Sequence, residues 1–271
     1  MSDDSNGSNG RNGVLGRAMD VIELVANETN GVGVREAARL TGIDRSAVSR
    51  ILAHLEKTGH VEQDPVRKVY LPGPALFSLA AGLVEHDSLW KAAEPFLAGL
   101  VDKYNETCYL AVRSGEELSF RGKVDCNHRI RYVIELGPSF PLTTGAGGTA
   151  ILAGMPEPES DAVLSKGFER YTELSFQNFD DYRNQLRADR HQGYTFSPGR
   201  WVKNGAGVAS PYFNAAGESA GSIIFSAPSD RLEGVDIQQL GADVRSATQG
   251  LSRRLGFRGQ WEGWPEEERS A

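Results

Sequence analysis

Residues 34–71 read VREAARLTGIDRSAVSRILAHLEKTGHVEQDPVRKVYL, and the order of their parts decides the architecture of the N-terminal region. Val34 to Thr41 is a short helix whose Val34, Ala37, Ala38 and Leu40 recur at the spacing of one buried face. Gly42 follows directly and suits the left-handed conformation that ends a helix. Asp44 stands where an N-cap belongs. The next helix runs from about Arg45 to Thr58 and stops at Gly59, with Val48, Ile51, Leu52 and Leu55 as its apolar stripe. Its opposite face carries Arg45, Ser46, Ser49, Arg50 and Ala53. A helix that enters the DNA major groove needs such a face: small side chains permit close approach, hydroxyls bond phosphates, and arginine reads guanine or neutralises phosphate. A plain solvated face has the same composition, so the succession of parts is what discriminates. Short helix, Gly-containing turn and longer helix form a helix-turn-helix. After it, His60–Gln63 and Arg67–Leu71 alternate as two strands around Asp64-Pro65. That pair is a wing, and it must pack on the helices because an isolated hairpin is not stable. Arg67 and Lys68 fall near its tip, suited to the phosphate backbone or the minor groove. The expected DNA contacts are therefore Arg45, Ser46, Ser49, Arg50 and Arg67.

Upstream, Leu15, Ala18, Met19, Ile22 and Val25 give an amphipathic helix over Val14–Asn27. The preceding polar stretch, residues 1–13, reads as a disordered arm with no apolar secretion signal. No apolar run approaches the roughly 20 residues of a membrane helix, so a cytoplasmic protein without a membrane partner is expected. The 271 residues suggest two domains. Net charge is −7, which argues against indiscriminate coating of nucleic acid, yet residues 11–71 hold nine basic and eight acidic residues and are net +1. The two cysteines, Cys108 and Cys126, read as buried thiols. No Cys/His group has zinc spacing, and no metal or cofactor is expected.

Pro72-Gly73-Pro74 closes the wing, and Pro74 suits the first turn of a helix. Ala75–Glu85 and Ser88–Tyr104 read as helices. Strands are expected at Thr107–Arg113, Glu117–Val124, Ile130–Ile134, Gly205–Phe213 and Ser219–Ser226. Helices are expected at Gly145–Gly154, Asp161–Lys166, Asp180–Gln192 and Val235–Leu255. This mixture gives an α+β sheet with helices on its faces. Thr143-Thr144-Gly145-Ala146-Gly147-Gly148-Thr149 leads into an apolar helix. Free amides at a helix start attract anions, and glycine lets a ligand reach the backbone; a Gly-rich turn for tight helix packing is the alternative. It is neither a Walker loop nor a dinucleotide fingerprint. His54, His60, His86, His128 and His191 accompany no nucleophile or metalloprotease motif, so no catalytic residue is assigned and no enzyme is expected.

Three segments carry a family resemblance: the run RAMDVIELVANETNGVGVREAARLTGIDRSAVSRILAHLEKTGHVEQDPVRKVYLPGPALFSLA, then GPSFPLTTGAGGTAILAGMP, then GYTFSPGRWVKNGAGVASPYFNAAGESAGSIIFSAPSDRL. In this order, over about residues 14 to 255, the chain resembles the IclR family of bacterial transcription regulators. The resemblance implies a winged helix-turn-helix over 14–72, a linker helix over 73–87 and a GAF-like α/β effector-binding and oligomerisation domain over 88–257; residues 258–271, beyond the resemblance, read as an acidic tail with Trp261, Trp264 and Glu266-Glu267-Glu268 and no assigned role. It also implies homodimers, often paired into tetramers, that bind double-stranded operator DNA and answer to a small molecule. Pocket positions carry over singly. The loop supplies Gly145 and Ala146. The position where short-acid sensors often hold an acid is Ser197. Gly207 stands where a cysteine or other polar residue is common, and of two frequent hydroxyl residues Ile224 replaces one while Ser226 keeps the other. Loss of three polar groups implies a wider, more apolar pocket and an aromatic carboxylate or amide as effector. Its aromatic wall would come from Tyr132, Phe140 or Trp201, with Trp201 favoured. A short keto acid such as glyoxylate or pyruvate, or a large domain that only oligomerises, are the alternatives.

Overall fold

The computed structural model describes residues 13–264. The expected arm lies almost wholly outside these residues, as do Glu266, Glu267 and Glu268. The described chain divides after Asp87 into two units with separate cores.

The first unit holds helices α1 (Val14–Asn27), α2 (Val34–Thr41) and α3 (Arg45–Lys57), the two-stranded wing β1 (Val61–Gln63) and β2 (Tyr70–Pro72), and helix α4 (Pro74–Glu85). Val21 and Val25 of α1, Ala37 of α2, and Val48, Leu52 and Leu55 of α3 converge with Val61 and Tyr70 of the wing on one small core. The helix-turn-helix angle is set at Gly42, whose φ of 68° is the left-handed conformation that the turn requires. The strand expected over Arg67–Leu71 starts later. Lys68 adopts a positive φ of 57°, which breaks the extended run and leaves Arg67 and Lys68 in the turn rather than on a strand.

The second unit begins with α5 (Ser88–Tyr104), then β3 (Thr107–Ser114), β4 (Glu117–Val124), β5 (Ser139–Pro141), α6 (Gly145–Gly154), α7 (Glu157–Ser165), α8 (Phe179–Gln192), β6 (Thr195–Pro198), β7 (Gly205–Phe213), β8 (Ser219–Pro228) and α9 (Ile237–Arg254). Six strands form one sheet in the order β5-β4-β3-β8-β7-β6, with antiparallel neighbours throughout. Alternation along each central strand loads both faces. Cys108, Leu110, Ile223 and Phe225 point to the layer of α5 and α9. Tyr109, Ala111 and Ile224 point to the layer of α6, α7 and α8. The result is a three-layer α/β domain, the fold class read from the sequence.

Several expectations need correction. Ile130–Ile134 is not a strand. The short β5 takes the free edge of β4 through Glu117–Ser119, so residues 125–138 are left as an irregular strap. Helix α7 starts at Glu157, ahead of the expected Asp161, with Pro158 in its first turn. The edge strand β6 was not anticipated; it is four residues long and pairs only with β7. Finally, the stretch expected as a tail from 258 onward is packed as far as it is described: Trp261 and Trp264 are buried with Phe213 and Phe257 in a compact aromatic cluster. Four large rings bury too much apolar surface to remain in water.

Candidate functional site

Two places gather the residues singled out in the sequence, one in each unit. On α3, Arg45, Ser46, Ser49 and Arg50 are all exposed and lie opposite the buried Val48, Leu52 and Leu55. Asp44 occupies the N-cap position but makes no side-chain bond to the helix amides. Its Oδ2 instead accepts from the Ser46 hydroxyl at 2.6 Å, and that bond, with the nearby backbone N–H groups of Ser46 and Ala47, holds the Asp44 carboxyl below its ordinary range. In the wing, Arg67 is exposed and ion-paired with Asp64 at 2.7 Å.

In the second unit, Gly145, Ala146, Ser197, Trp201, Gly207, Ile224 and Ser226 all line a single cavity of about 60 Å³. Strand pairing brings them together. Ser197 lies opposite Gly207 across β6 and β7, Gly207 lies opposite Ser226 across β7 and β8, and the N-terminus of α6 closes one end. The remaining walls are irregular: Tyr132 and Ile134 from the strap, Trp201 and Val202 from the loop before β7.

The cavity is electrically simple. Among the described residues, no Asp, Glu, His, Lys or Arg side chain lines it. The first-turn amides of α6 have no partner within the helix, Thr144 caps none of them, and no acidic residue stands in that turn. The positive end of the helix dipole therefore faces the cavity uncompensated. The loop that presents these amides is fixed from behind. The hydroxyl of the buried Tyr182 lies 3.3 Å from Thr143 O and 2.9 Å from Thr149 Oγ1, and Thr149 Oγ1 is 2.8 Å from Gly145 O. Burial pushes the Tyr182 phenol up, so it stays neutral. Gly148 cannot carry a side chain, because a Cβ there would sit 2.1 Å from Leu142 O.

The expected widening is not found. A Cβ on Gly207 would lie 2.8 Å from Ala146 Cβ, and one on Gly147 would lie 2.9 Å from Ile224 Cγ1. Ala146 and Ile224 occupy the space that the missing polar groups would have vacated. The cavity is apolar, but it is small. Phe120, which the sequence reading did not single out, joins the wall. Its ring lies parallel to that of Trp201 at a centroid distance of 6.3 Å. Phe140 packs edge-on against both rings from behind rather than lining the cavity. Alternation along β4 carries the signal for Phe120, since it shares a face with the buried Leu118.

Two family models cover the chain: "IclR helix-turn-helix domain" matches residues 14–65, and "Bacterial transcriptional regulator IclR C-terminal" matches residues 81–253. The chain belongs to the IclR family. It is a DNA-binding transcription regulator and not an enzyme. Among curated relatives, the HTH-type transcriptional repressor AllR of Escherichia coli (strain K12) is 24% identical over 245 residues, covering 90% of each protein. Among solved structures, the IclR protein of Thermotoga maritima matches with a TM-score of 0.73 at 22% identity, covering 90% of this chain and 98% of that one. An IclR homolog of Microbacterium hydrocarbonoxydans, crystallised with 4-hydroxybenzoate, matches with a TM-score of 0.77 at 19% identity, covering 90% and 99%. These likenesses establish the shared fold. For this IclR regulator, no cluster of three or more His, Cys, Asp or Glu able to hold a metal occurs among the described residues. No described helix is long and apolar enough to cross a membrane.

Proposed function

We propose that this IclR regulator is a repressor whose DNA affinity is set by an aromatic carboxylate, or a related amide, bound in the cavity at the N-terminus of α6. One observation carries this reading: the cavity's polar groups are the main-chain amides at the start of α6 and the hydroxyls of Thr144, Ser197 and Ser226, with no charged side chain among the described residues, and most of its other walls are aromatic or aliphatic. Amides at a helix start hold a carboxylate or an amide carbonyl, and Phe120, Tyr132 and Trp201 suit a flat ring. The relative crystallised with 4-hydroxybenzoate lends the same class of ligand, and the AllR relative lends the sign of regulation. Entry of a ring requires the strap or the Trp201 loop to give way. The cavity's volume of about 60 Å³ favours a second reading, a short keto acid such as glyoxylate or pyruvate.

The DNA side uses Arg45, Ser46, Ser49 and Arg50 of α3 for the major groove and Arg67 of the wing alongside. Self-association fits α4, which exposes Phe77, Leu79 and Leu83 at 66%, 57% and 73%; a homodimer supplies the second helix-turn-helix that a two-fold operator needs. Ligand acts by binding the DNA-competent and DNA-free states with different affinity.

A thermal-shift panel tests the effector class. A ligand at 100 times its dissociation constant adds about 2.7 kcal/mol and raises the melting point by a few degrees. Benzoates or benzamides are expected to respond. A response to glyoxylate or pyruvate alone transfers the assignment to short keto acids. Silence from every compound leaves the large domain as an oligomerisation module.

A further inference from the structure

The wing tip is more tightly built than a surface turn needs. Asp64 Oδ1 accepts the backbone N–H groups of Val66 and Arg67, each at 2.9 Å. Its Oδ2 accepts Arg67 Nε at 2.7 Å. A second segment, the turn after α1, takes Arg67 Nη1 through Asn30 O at 3.3 Å. A guanidinium carries five donor protons, and two are committed here. Three remain on the terminal nitrogens of a side chain that is 52% exposed. Beside it, Val66 is 87% exposed, the highest value for a large apolar side chain among the described residues.

We propose that Asp64 is a positioning residue that holds Arg67 for insertion into the minor groove, so that the wing reads a narrow, A·T-rich groove flanking the bases faced by α3. The inference rests on the reading of α3 and the wing as the DNA-contacting face. Three physical points carry it. An arginine that makes only phosphate contacts gains little from restraint on two sides, because phosphates offer acceptors over a wide range of angles. Insertion into a groove about 6 Å wide tolerates few rotamers, and pre-ordering removes that entropic cost from binding. A narrow A-tract groove concentrates negative potential and draws arginine in. An apolar residue at the apex is exposed to water in the free protein, whereas against the sugar walls of the minor groove it is covered. The Arg67 and Val66 donors gathered around Asp64 keep its carboxyl ionised down to about pH 2, so the clamp on Arg67 persists at every physiological pH.

Simple electrostatics predicts the opposite effect for Asp64. A carboxylate facing DNA repels phosphate, and its neutralisation alone would tighten binding. The sign of the change therefore separates positioning from repulsion. The test uses the full-length chain and a pool of DNA duplexes with a randomised central region, selected by binding and sequenced. Asp64→Asn keeps an acceptor oxygen for the two turn amides and places an NH2 against Arg67 Nε; Arg67→Ala removes the reader. Wild type is expected to select a core pattern with A·T-enriched flanks. Both variants are expected to keep the core and lose the flanks, and to bind the best wild-type duplex roughly ten-fold more weakly. The double variant should be no weaker than Arg67→Ala. Tighter or unchanged binding by Asp64→Asn, or flanks that survive in it, overturns the proposal. A wild-type core without A·T flanks also overturns it while leaving the helix-turn-helix reading intact; a wild-type pool with no selected pattern overturns both.

Discussion

Single atoms decide what the cavity can hold. Gly207 faces Ala146 so closely that Gly207→Ser is expected to abolish effector response, with the Cβ driven against a neighbour 2.8 Å away. Adding Ala146→Gly should restore room and response; double-variant titrations of ligand-induced melting shifts would detect this coupling, and additive losses would exclude it. On α3, Arg45→Ala and Arg50→Ala are each expected to cost about 1–3 kcal/mol of operator binding if they read bases; unchanged affinity by fluorescence anisotropy would remove them from the interface. Asp189 offers a pH-dependent readout. It is fully buried, and burial pushes its carboxyl up to about 6, against the opposing pull of hydrogen bonds from Thr195 and Gln185. The folded state thus favours the protonated form. Its contribution is complete below about pH 4, the unfolded value, and is lost as pH rises through about 6. The gap between the folded and unfolded values corresponds to about 3 kcal/mol. Wild type should therefore melt several degrees lower at pH 7.5 than at pH 5, and Asp189→Asn should flatten that slope.

At the level of elements, the strap over residues 125–138 is held mostly by side chains, with a backbone bond from Gly137 N–H to Phe120 O at 3.0 Å, rather than by a ladder. Tyr109 on β3 donates its hydroxyl to Tyr132 O and accepts the Ile134 amide, both at 3.2 Å, and Arg231 bonds Ile130 O. Tyr109→Phe is expected to raise amide exchange at Ile134 while leaving β3 protected; equal protection in both proteins would show that the strap is held otherwise. This arrangement also shows where sequence reading stops. The helices of the first unit, and Gly145–Gly154 and Gly205–Phe213 in the second, are written in local periodicity and glycine placement, so their boundaries could be read directly. The strap could not: Ile130–Ile134 alternates like a strand, but whether it pairs depends on β5 claiming the edge of β4, a non-local event. The same holds for the cavity. Family resemblance singled out six of the lining positions, and Trp201 was read from its place beside the pocket strand, but the cavity's size depends on how Ala146 and Ile224 fill the gap. The segment after α9 misled for a related reason. Nothing local assigns a role to this acidic tail, yet Phe213, far away in sequence, gives Trp261 and Trp264 a place to bury. Trp264→Ala is expected to destabilise the second unit by about 3–5 kcal/mol in urea unfolding; a loss under about 1 kcal/mol would show that the cluster is peripheral.

For the molecule as a whole, two separate cores predict two calorimetric transitions rather than one. A benzoate that binds the cavity should raise only the transition of the unit starting at Ser88, and a single merged transition would mean that the units unfold as one. Charge is uneven along the chain, with residues 11–71, which hold the helix-turn-helix and wing, net +1 in a chain of net −7, so operator binding should weaken steeply with salt. The amides at the start of α6 have one more consequence. A side chain that grips a ligand can be lost in a single codon change, but a main-chain N–H is present whatever residue occupies the site, proline excepted. An anion anchor built this way is inherited with the backbone trace itself. If the cavity is the effector site proposed above, changes at Phe120, Trp201 or Ile224 would retune which molecule is welcomed while the handle by which it is grasped stays put, and a lineage could shift from one signal to another without passing through a deaf receptor.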